Sequence, residues 1–461
     1  MKIRSLLIAL CVLLPAIALG KAPNVVLILV DDLGYGDLGS YGHPTIKTPH
    51  LDALAASGLR LTQHYAPSAL CSPSRGALLT GRHPYRLGIK SWIPPQSEIY
   101  LREEEITLAE LFKQAGYRTA LIGKWHLNSD LGDPDEPQPL DQGFDYAYGH
   151  NAYQIPTNRN PTNVFRNGLA LPAQRGYTAQ LYADEAIRWL SAEQKPFFLF
   201  LSMAEPHTTI ENPPAYNAMY KQFTQGPVEP IPSGLPEPPR ALLQPRGPGE
   251  YYANISYLDA QLGRVLSALQ TLDYEKDTVV VFLSDNGPVT SQWLSWYEVN
   301  AYGDTGGFRG RKHYLYEGGI RVPALVRVPG MTRPGSTSAS LVHGSDWFTT
   351  LLSLAGLKPP SDREIDGIDV TPVLIGGVAS RDEREILWAL DSVGPLEFAF
   401  RLGDWKLMLD REGQPQELYH LKQDPLELFN QIADQGERVA DMVKRFRRVH
   451  ARIQADPLRP N

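Results

Sequence analysis

The stretch from Cys71 to Arg82 reads Cys-Ser-Pro-Ser-Arg-Gly-Ala-Leu-Leu-Thr-Gly-Arg and combines a thiol, a proline and arginines in one short segment. The other cysteine, Cys11, lies in an apolar N-terminal segment, and removal of that segment leaves Cys71 without an intramolecular disulfide partner. An isolated cysteine is commonly a small buried hydrophobic residue. Here the Ser-Pro pair that follows predicts a helix over residues 72–79, ended by Gly81. A helix start favours negative charge, so it suits a nucleophile that attacks an anion, and Arg75 is expected one turn along, facing Cys71.

Oxygen-bearing side chains follow two apolar runs, residues 24–30 and 278–283, which predict strands buried on both faces. The first run ends in Asp31-Asp32, and the second leads through Ser284 to Asp285-Asn286. Open α/β sheets bind ligands at the carboxyl ends of their strands. Adjacent carboxylates are costly unless a cation neutralises them, and these oxygens suit a hard ion such as Ca²⁺ or Mg²⁺. A solvated turn with Asp caps is the alternative interpretation of the Asp-Asp pair taken alone.

Basic and titratable side chains follow two further predicted strands. Lys124 and His126 come after residues 117–122 and are two positions apart, so in an extended segment both point to the same side. Such a pair can hold a tetrahedral oxyanion and move a proton, although taken alone it is more often two ordinary loop residues. His207 follows the run 197–203 and a proline, and a histidine whose pKa lies near neutrality can act as a general acid. Lys312 lies in a basic, glycine-rich stretch that suits an anion contact.

The remaining pattern supplies the elements that must position these side chains. Residues 48–60, 106–115, 177–192 and 251–272 predict helices, and residues 59–65 predict a short strand. Residues 129–176 are rich in Pro, Gly, Asn and Asp and predict a long loop that shapes the pocket. Residues 208–248 are Pro-rich and predict either a lid over the site or a surface excursion.

Composition narrows the class of protein. A length of 461 residues with 43% hydrophobic content predicts one large domain and a smaller one. The net charge of −7 gives no nucleic-acid footprint, so we expect no nucleic-acid partner. Residues 1–20 carry Lys2 and Arg4, then an apolar run and Gly20, the layout of a cleavable signal peptide. That run is short for a transmembrane helix and no second one follows, so we expect a periplasmic or secreted protein without stable membrane insertion.

The motifs resemble, in order, those of the type I (formylglycine-dependent) sulfatases of the alkaline phosphatase superfamily. They are Asp31-Asp32, the Cys71 signature, Gly123-Lys124-Trp125-His126, Pro206-His207, Ser284-Asp285-Asn286-Gly287, and Lys312 leading to Tyr316-Glu317-Gly318-Gly319. The resemblance spans roughly residues 22–425. It implies an α/β, alkaline-phosphatase-like fold: a large mixed sheet flanked by helices, with a smaller C-terminal antiparallel sheet plus helix.

On this resemblance the chain divides into a signal peptide (1–20), a catalytic sulfatase domain (21–379) and a smaller C-terminal subdomain (380–461). Strand-like pieces of the subdomain lie at residues 385–390, 398–409 and 417–421. A final helix is expected to run to about residue 454.

The resemblance also implies two cofactor features. A maturation enzyme would oxidise Cys71 to formylglycine, and one hydroxyl of its hydrate would attack sulfur in line with the leaving alcohol. One divalent cation, Ca²⁺ ahead of Mg²⁺, would be bound with residue 71 completing its ligands. The implied protein ligands of this cation are Asp31, Asp32, Cys71, Asp285 and Asn286.

Roles for the catalytic and substrate-binding residues follow from the same resemblance. Lys124, His207 and Lys312 would contact the sulfate ester, and the two lysines would offset charge on its oxygens. His207 would protonate the leaving group, with help from Lys312. His126 would assist loss of the proton from the second hydroxyl at position 71, which expels sulfate, and Arg75 would orient and polarise residue 71.

Departures from the family pattern are few. Arg311 and His313 flank Lys312 where smaller residues are common in relatives, and the sequence favours surface positions for both over an added substrate contact. The segment just after His126 also differs from commoner versions.

Three functions are compatible with these motifs. The favoured one is exo-acting removal of sulfate from sulfated carbohydrates. The alternative is a phosphonate monoester hydrolase or phosphodiesterase of the same superfamily, because tetrahedral phosphorus and sulfur esters look alike to such a site. A non-catalytic glycan-binding protein ranks last, since it predicts missing site residues and none is missing.

Overall fold

The computed structural model describes residues 22–192, 196–223, 247–289, 299–377, 384–391 and 394–458, so the predicted signal peptide lies outside the described residues. Its strands are β1 Asn24–Val30, β2 Leu59–Leu61, β3 His64–Tyr65, β4 Arg118–Lys124, β5 Tyr146–His150, β6 Phe165–Arg166, β7 Leu169–Ala170, β8 Phe197–Ser202, β9 Thr278–Ser284, β10 Ala324–Arg327, β11 Ser336–Ser338, β12 Val342–His343, β13 Glu385–Ala389, β14 Leu396–Leu402, β15 Trp405–Asp410 and β16 Pro415–His420. Its α-helices are α1 Pro49–Ser57, α2 Cys71–Thr80, α3 Pro84–Leu87, α4 Leu108–Gln114, α5 Thr178–Ala192, α6 Pro214–Met219, α7 Pro248–Thr271, α8 Glu317–Ile320, α9 Asp346–Leu354, α10 Thr371–Leu374 and α11 Gly436–Gln454.

A mixed sheet of ten strands forms the centre, in the order β11-β2-β10-β9-β1-β8-β4-β5-β6-β7. Strands β9, β1, β8, β4 and β5 are parallel to one another, while β10 runs antiparallel to β9. Strands β3 and β12 form a separate parallel pair. Because the five central strands are parallel, their carboxyl ends meet at one edge of the sheet, where the predicted site residues follow them.

Helices cover both faces of this sheet because its central strands are apolar on both sides. In β1 the odd-numbered residues 25–29 belong to a core shared with α2, α4 and α9. The even-numbered residues 26–30 belong to a second core shared with α1, α5 and α7. Each strand residue therefore contributes to one of two cores.

A four-stranded antiparallel sheet, β13-β14-β15-β16, forms the smaller C-terminal unit. Phe398 and Phe400 on one face share a core with Phe446 of α11. On the other face, Trp388 and Met408 share a cluster with Leu70 and Leu315 of the larger part. The small sheet therefore packs behind the segments that carry Cys71 and Lys312.

The predicted fold class is confirmed, and three local predictions need correction. The presumed loop 129–176 contains β5, β6 and β7, because Tyr146–His150 pairs in parallel with β4. The strand expected over 59–65 is divided into β2 and β3. The strand-like piece 398–409 spans β14 and β15, joined at Gly403 with φ of 57°. The predicted domain boundary at 379/380 lies outside the described residues.

Candidate active site

The predicted cation ligands lie where β1 and β9 end side by side. Val30 is the register partner of Ser284, so Asp31 and Asp285 leave the sheet next to one another. The backbone N–H of Asp32 donates to Oδ1 of Asp285 at 3.2 Å. Both aspartates of β1's end and Asp285 are buried, so their charges must be balanced inside the protein.

Asp31 is balanced by two cations. Lys124 Nζ lies 2.5 Å from its Oδ2, and an Arg75 Nη lies 3.2 Å from the same oxygen. Burial alone raises the pKa of Asp31, but nearby positive charges, Lys124 first, outweigh burial and hold this pKa well below its usual value. Asp31 is therefore an anion in the folded protein.

Asp32 is held from the opposite side of the site. Lys312 Nζ lies 2.5 Å from Asp32 Oδ1, and Asn286 Nδ2 donates to the same oxygen at 2.7 Å. Burial lowers the pKa of Lys312, but the charge of Asp32 outweighs it and raises this pKa well above the usual value. The Lys312 ammonium therefore stays charged at neutral pH.

The residues present fit the predicted divalent cation. Asp31 Oδ1 and Asn286 Oδ1 are buried and have no hydrogen-bond partner within the described ranges. One ligand atom each of Asp31, Cys71 and Asp285 lies within 4.8 Å of the others. Burial, followed by the charge of Asp31, raises the pKa of Asp285 to about 7. Unused oxygen acceptors beside mutually repelling carboxylates are what a hard cation satisfies.

Cys71 is the first residue of α2 and is 3% exposed. The helix ends at Gly81, whose φ of 70° suits a glycine cap, as predicted. Burial raises the pKa of the Cys71 thiol to about 11, although Lys124 and Lys312 oppose this shift. The protein groups around it thus keep the unmodified thiol protonated at neutral pH.

Arg75 connects α2 to four strand ends, one of them through its contact with Asp31. Its guanidinium donates to Asp285 Oδ2 at 2.9 and 3.2 Å, to Ser202 Oγ at 2.6 Å and to the Lys124 carbonyl at 3.1 Å. The side chain is fully buried. These hydrogen bonds fix the carboxylates around the Cys71 helix start.

Lys124 and His126 reach the site by different routes, so the prediction of one extended segment is wrong. Lys124 ends β4, but His126 has φ of 58° and its N–H donates to Asn151 Oδ1 at 3.1 Å. Its Nε2 lies 3.0 Å from the Ile93 carbonyl. Because a carbonyl only accepts, Nε2 carries the proton and Nδ1 keeps its lone pair. Nδ1 has no hydrogen-bond partner in the part of the chain that the structure describes.

His207 lies beside Asp32, with Nε2 3.8 Å from Asp32 Oδ2. Its Nδ1 donates to the Thr208 carbonyl at 2.8 Å, so Nε2 is the nitrogen left for chemistry. Burial, and next the charge of Lys124, lowers the pKa of His207 to about 4. In the protein alone this pKa differs from the near-neutral value expected from the sequence.

A cavity of about 280 Å³ opens beside these groups. Cys71, His126, His207 and Lys312 all contribute to its wall. The arrangement presents three imidazoles, those of His126, His207 and His313, and a fixed ammonium to one small space. It can hold a tetrahedral anion and move protons at both sides of it.

Two family models match the chain. The model described as Sulfatase matches residues 23–357, and the model described as N-sulphoglucosamine sulphohydrolase, C-terminal, matches residues 303–454. The chain belongs to the sulfatase family. Its activity class is therefore sulfuric ester hydrolysis, as the sequence resemblance implied.

Individual relatives agree with this family over most of the chain. Arylsulfatase A of Homo sapiens is 32% identical to this sulfatase over 506 residues, which cover 98% of this chain and 92% of the relative. N-acetylgalactosamine-6-sulfatase of Canis lupus familiaris is 35% identical over 399 residues, 80% of this chain and 70% of the relative. The crystal structure of Ps i-CgsB in complex with k-i-k-neocarrahexaose has 25% identity and a TM-score of 0.78, covering 93% and 92% of the two chains.

Several residues of this sulfatase's site were missed from sequence. Trp92 and Tyr153 line the cavity and are 40% and 43% exposed, and the Trp92 ring meets His126 edge-on with centroids 6.3 Å apart. Ser202 and Asn151 orient Arg75 and His126. Of these four residues, only Ser202 could have been suspected from sequence, because it ends a buried strand. No sequence motif marks Trp92, Tyr153 or Asn151.

The two residues that flank Lys312 are not surface residues. Arg311 is partly buried and donates to the carbonyls of Val289 at 3.1 Å and Ala301 at 2.9 Å. His313 is partly buried and lines the cavity beside Lys312. The surface prediction is therefore wrong for both, and His313 borders the substrate space.

Two other predictions concern the outside of the molecule. Among the described residues, none of the helices combines the length and the apolar character needed to cross a membrane. The Pro-rich stretch 208–248, predicted as either a lid or a surface excursion, contains α6 in its described part, and its residues 224–246 lie outside the described residues, so the choice between the two stays a prediction.

Proposed function

We propose that this sulfatase removes sulfate from sulfated carbohydrates, exo-acting, through a formylglycine made from Cys71 and one divalent cation. The observation behind this choice is the cavity wall, which anion-binding groups share with accessible aromatic rings. Trp92 and Tyr153 line the same cavity as Cys71 and Lys312. Partly exposed aromatic faces suit the apolar faces of sugar rings, whereas the charged groups suit the sulfate.

Names of similar proteins support a carbohydrate substrate. One relative is named N-acetylgalactosamine-6-sulfatase, and one similar structure holds k-i-k-neocarrahexaose. A shared fold does not by itself establish a shared substrate, so the main support for a carbohydrate substrate comes from this chain's own cavity.

Modification of Cys71 is consistent with the site. The surrounding protein keeps the thiol protonated at neutral pH, so an unmodified Cys71 is a poor nucleophile here. A formylglycine hydrate at this position would supply one hydroxyl to attack sulfur as the alcohol leaves. Deprotonation of the second hydroxyl would then re-form the aldehyde and break the bond between the carbon of residue 71 and the sulfate oxygen. We infer that a separate maturation enzyme carries out this modification.

Lys124 and Lys312 are placed to offset charge on the sulfate oxygens. Each ammonium nitrogen already lies 2.5 Å from a carboxylate oxygen of one aspartate. Both positive charges are therefore held in position before the substrate binds. Fixed charges in a buried site stabilise developing charge strongly because they need no reorganisation.

His207 is the group we assign to protonate the leaving alcohol. Its Nε2 is free of the Thr208 contact and faces Asp32. A bound anionic ester adds negative charge beside this imidazole and raises its pKa from about 4, so protonation accompanies substrate binding. Lys312, charged and adjacent to the same cavity, is the second donor.

His126 is the group we assign to take the proton that is lost when sulfate leaves. Burial and the charge of Lys124 hold the pKa of His126 well below its usual value, so the ring is neutral before reaction. Nε2–H is engaged by the Ile93 carbonyl, which leaves the Nδ1 lone pair as the acceptor.

The cation site would use the two oxygens that lack a partner among the described residues, Asp31 Oδ1 and Asn286 Oδ1, together with carboxylate oxygens that already have partners. Asp31, Asp32, Asp285 and Asn286 would hold Ca²⁺, ahead of Mg²⁺, because all four donors are hard oxygens on loops that follow strands. A cation bound there would act as a Lewis acid toward the sulfate oxygens. The buried Arg75 guanidinium donates hydrogen bonds to the carboxylates of Asp31 and Asp285 and so holds both in place.

Export is proposed on the sequence of residues 1–20. The natural host would then send the enzyme to the periplasm or the medium, where sulfated glycans are met. Mass spectrometry of the N-terminal peptide of secreted protein tests this point, because a mature chain beginning just after Gly20 is expected.

The function is tested by sulfate release from a panel of sulfated saccharides, using protein co-expressed with a maturation enzyme. The panel spans sulfated galactose, N-acetylgalactosamine, glucosamine, fucose and uronate, with an aryl sulfate and an aryl phosphate diester as class probes. Peptide mass confirms the aldehyde at residue 71 before assay. We expect release from one sugar and one position.

A different pattern would redirect the assignment. Faster cleavage of the phosphate diester than of every sulfate ester, with the aldehyde present, would favour the phosphonate monoester hydrolase or phosphodiesterase alternative. Absence of cleavage of all esters would favour a binding protein.

A further inference from the structure

A second cavity adjoins the sulfate-binding one. It measures about 430 Å³, within the roughly 300–1,000 Å³ typical of small-ligand pockets. His313 contributes to the walls of both cavities. His313 therefore borders both the space next to Cys71 and a larger space formed together with the C-terminal sheet.

The backbone of His313 is held in an unusual conformation. His313 has φ of 75°, a value uncommon for a residue with a side chain, and its N–H donates to the Ala69 carbonyl at 3.1 Å. Such positions cluster at ligand sites, where surrounding structure pays for the strain. His313 follows Lys312 directly, so the backbone that presents the ammonium to sulfate also forms the boundary of the second cavity.

The lining of the second cavity has the mixed character of a sugar site. Tyr314 and Tyr316 contribute aromatic surface, and Met408 of β15 contributes apolar surface. Gln416 and Asp410 contribute planar polar groups, joined by a hydrogen bond of 2.7 Å. Aromatic faces next to amide and carboxylate groups match the apolar faces and hydroxyls of a pyranose.

We propose that this second cavity binds the uncharged sugar unit next to the sulfated unit of the substrate, so that the C-terminal sheet selects the glycan chain. This inference rests on the proposed function. A saccharide whose sulfated end occupies the first cavity must continue out of it, and His313 is the residue that the second cavity shares with the first.

Charge decides that the neighbouring unit is neutral. The described residues of the second cavity include the carboxylates of Asp410 and Glu417 and no lysine or arginine. Arg309 offsets Glu417 at 3.7 Å, but Asp410 forms no ion pair among the described residues. A sulfate or carboxylate on the bound unit would face this negative charge, and like charges brought together cost several-fold in affinity or more.

The test compares three substrates that carry the sulfate on the same sugar and position. They are the monosaccharide, a disaccharide with an uncharged second unit, and a disaccharide with a sulfated second unit. We expect kcat/KM for the neutral disaccharide to exceed that for the monosaccharide by roughly tenfold, because contacts remote from the reacting bond contribute to rate. The charged disaccharide is expected to react no faster than the monosaccharide.

Variants connect the effect to the cavity. Tyr314→Ala and Gln416→Ala are each expected to reduce the disaccharide-to-monosaccharide ratio several-fold toward one. Gln416 is exposed, so its variant reports even where Tyr314→Ala folds poorly. Tyr177→Ala is the matched control, because Tyr177 is also partly buried and lines neither cavity, and its ratio should equal that of the parent enzyme.

The outcomes separate this inference from the proposed function. Hydrolysis of the monosaccharide with a ratio near one in the parent enzyme overturns the second-unit site and leaves the sulfatase assignment intact. Equal rates for the neutral and charged disaccharides overturn the selection for an uncharged unit. Absence of release from every sulfated saccharide and from an aryl sulfate, with the aldehyde confirmed, overturns both.

Discussion

Two groups of buried charges invite comparison. The strand-edge cluster consists of Asp31, Arg75, Lys124 and Asp285 at the carboxyl ends of the central strands. The interface cluster consists of Glu317, Lys406 and Glu427, where the C-terminal sheet meets the larger part. The side chains of Asp31, Arg75, Glu317 and Lys406 are all 0% exposed, so burial and charge do not distinguish the clusters.

The clusters differ in what they leave unsatisfied. In the interface cluster, Lys406 Nζ lies 3.1 Å from Glu317 and 2.9 Å from Glu427, the second contact being an ion pair without hydrogen-bond alignment. The remaining oxygens accept from the Tyr65 hydroxyl and from the Glu317 N–H, each at 2.7 Å. Every carboxylate oxygen of the interface cluster thus has a close donor.

The strand-edge cluster is incomplete by comparison. Asp31 Oδ1 has no partner within the described ranges, and the neighbouring Asn286 Oδ1 has none either. Ligand atoms of Asp31 and Asp285 in this cluster lie within 4.8 Å of that of Cys71, which lines the first cavity, whereas no residue of the interface cluster lines either cavity. Unused acceptors beside a cavity, rather than buried charge as such, distinguish a reactive site from a structural one.

The largest effect is expected at Cys71, whose replacement leaves both clusters intact. Cys71→Ser removes the residue that maturation converts, so turnover should fall by roughly 10⁴-fold or more, as when a nucleophile is deleted. The melting temperature should stay close to that of the parent, since the change conserves size at one buried atom. Sulfate release and thermal unfolding measured on the same preparation check this. Near-parental turnover would rule out formylglycine chemistry.

The second expectation contrasts one lysine from each cluster. Lys124→Met should reduce kcat by roughly 10²–10³-fold, the loss seen when a fixed charge-stabilising donor is removed. Lys406→Met should lower the free energy of unfolding by about 3–5 kcal/mol, because it leaves two buried glutamates without their cation. Its kcat per folded molecule should match the parent. Urea unfolding and active-site-normalised kinetics on both variants distinguish the two losses.

The opposite pair of results for Lys124→Met and Lys406→Met would contradict the distinction between the two clusters. A Lys406→Met variant that folds normally but turns over slowly would place the interface cluster in catalysis. A Lys124→Met variant that unfolds readily but keeps its kcat would make the strand-edge cluster structural.

Removal of the cation tests the unused oxygens directly. With Ca²⁺ at about 100 times its Kd, binding contributes about 2.7 kcal/mol to the stability of the folded state, and a chelator removes this contribution. The same shift should occur in Lys406→Met, whose strand-edge cluster is unaltered. It should be absent in Asp31→Asn, which exchanges a ligand oxygen for an amide. Differential scanning calorimetry with and without chelator measures the three shifts, and an equal shift in Asp31→Asn would move the cation elsewhere.

Much of this fold was predictable because its central strands can be recognised from short stretches of sequence. The run 24–30 is apolar from Val25 onward and became β1 with the same bounds, since a strand buried on both faces needs no alternation. Strand β5 was missed because its sequence, Tyr-Ala-Tyr-Gly-His, is short and lies within a Pro- and Gly-rich stretch. Its strand character comes from pairing with β4, which local sequence does not encode.

The candidate site shows the same division. Asp31, Asp32 and Asp285 were predictable because each follows a buried strand directly, and a strand end fixes where its next residue lies. Ser202 was not, since its contact with Arg75 joins residues 127 apart and depends on strand order. The path of His126 depends on contacts with Ile93 and Asn151 that no motif records.

The smallest effect concerns a carboxylate that lies in neither cluster and pairs with no cation among the described residues. Asp37 is fully buried and accepts from Tyr251 Oη and from the Gly34 and Asp304 N–H groups. Burial raises its pKa from the ordinary 3.8 to about 7, the opposite of the shift at cation-paired Asp31. Between these pH values the folded chain holds a proton that the unfolded chain has released, so the stability contributed by Asp37 falls as pH rises, by at most about 1.4 kcal/mol per pH unit.

Asp37→Asn removes this titration while keeping the shape of the side chain. The free energy of unfolding of the parent, minus that of the variant, should therefore decrease steadily as pH rises through this window, and urea titrations at several pH values measure it. Taking the difference cancels every other titrating group, the strand-edge carboxylates included. Parallel curves would mean that Asp37 stays ionised when folded, and hydrogen bonds alone would then suffice to hold a buried carboxylate charged. In that case the cations around Asp31 would not be needed to keep it ionised, and their positions beside it would have to be explained by the sulfate ester instead.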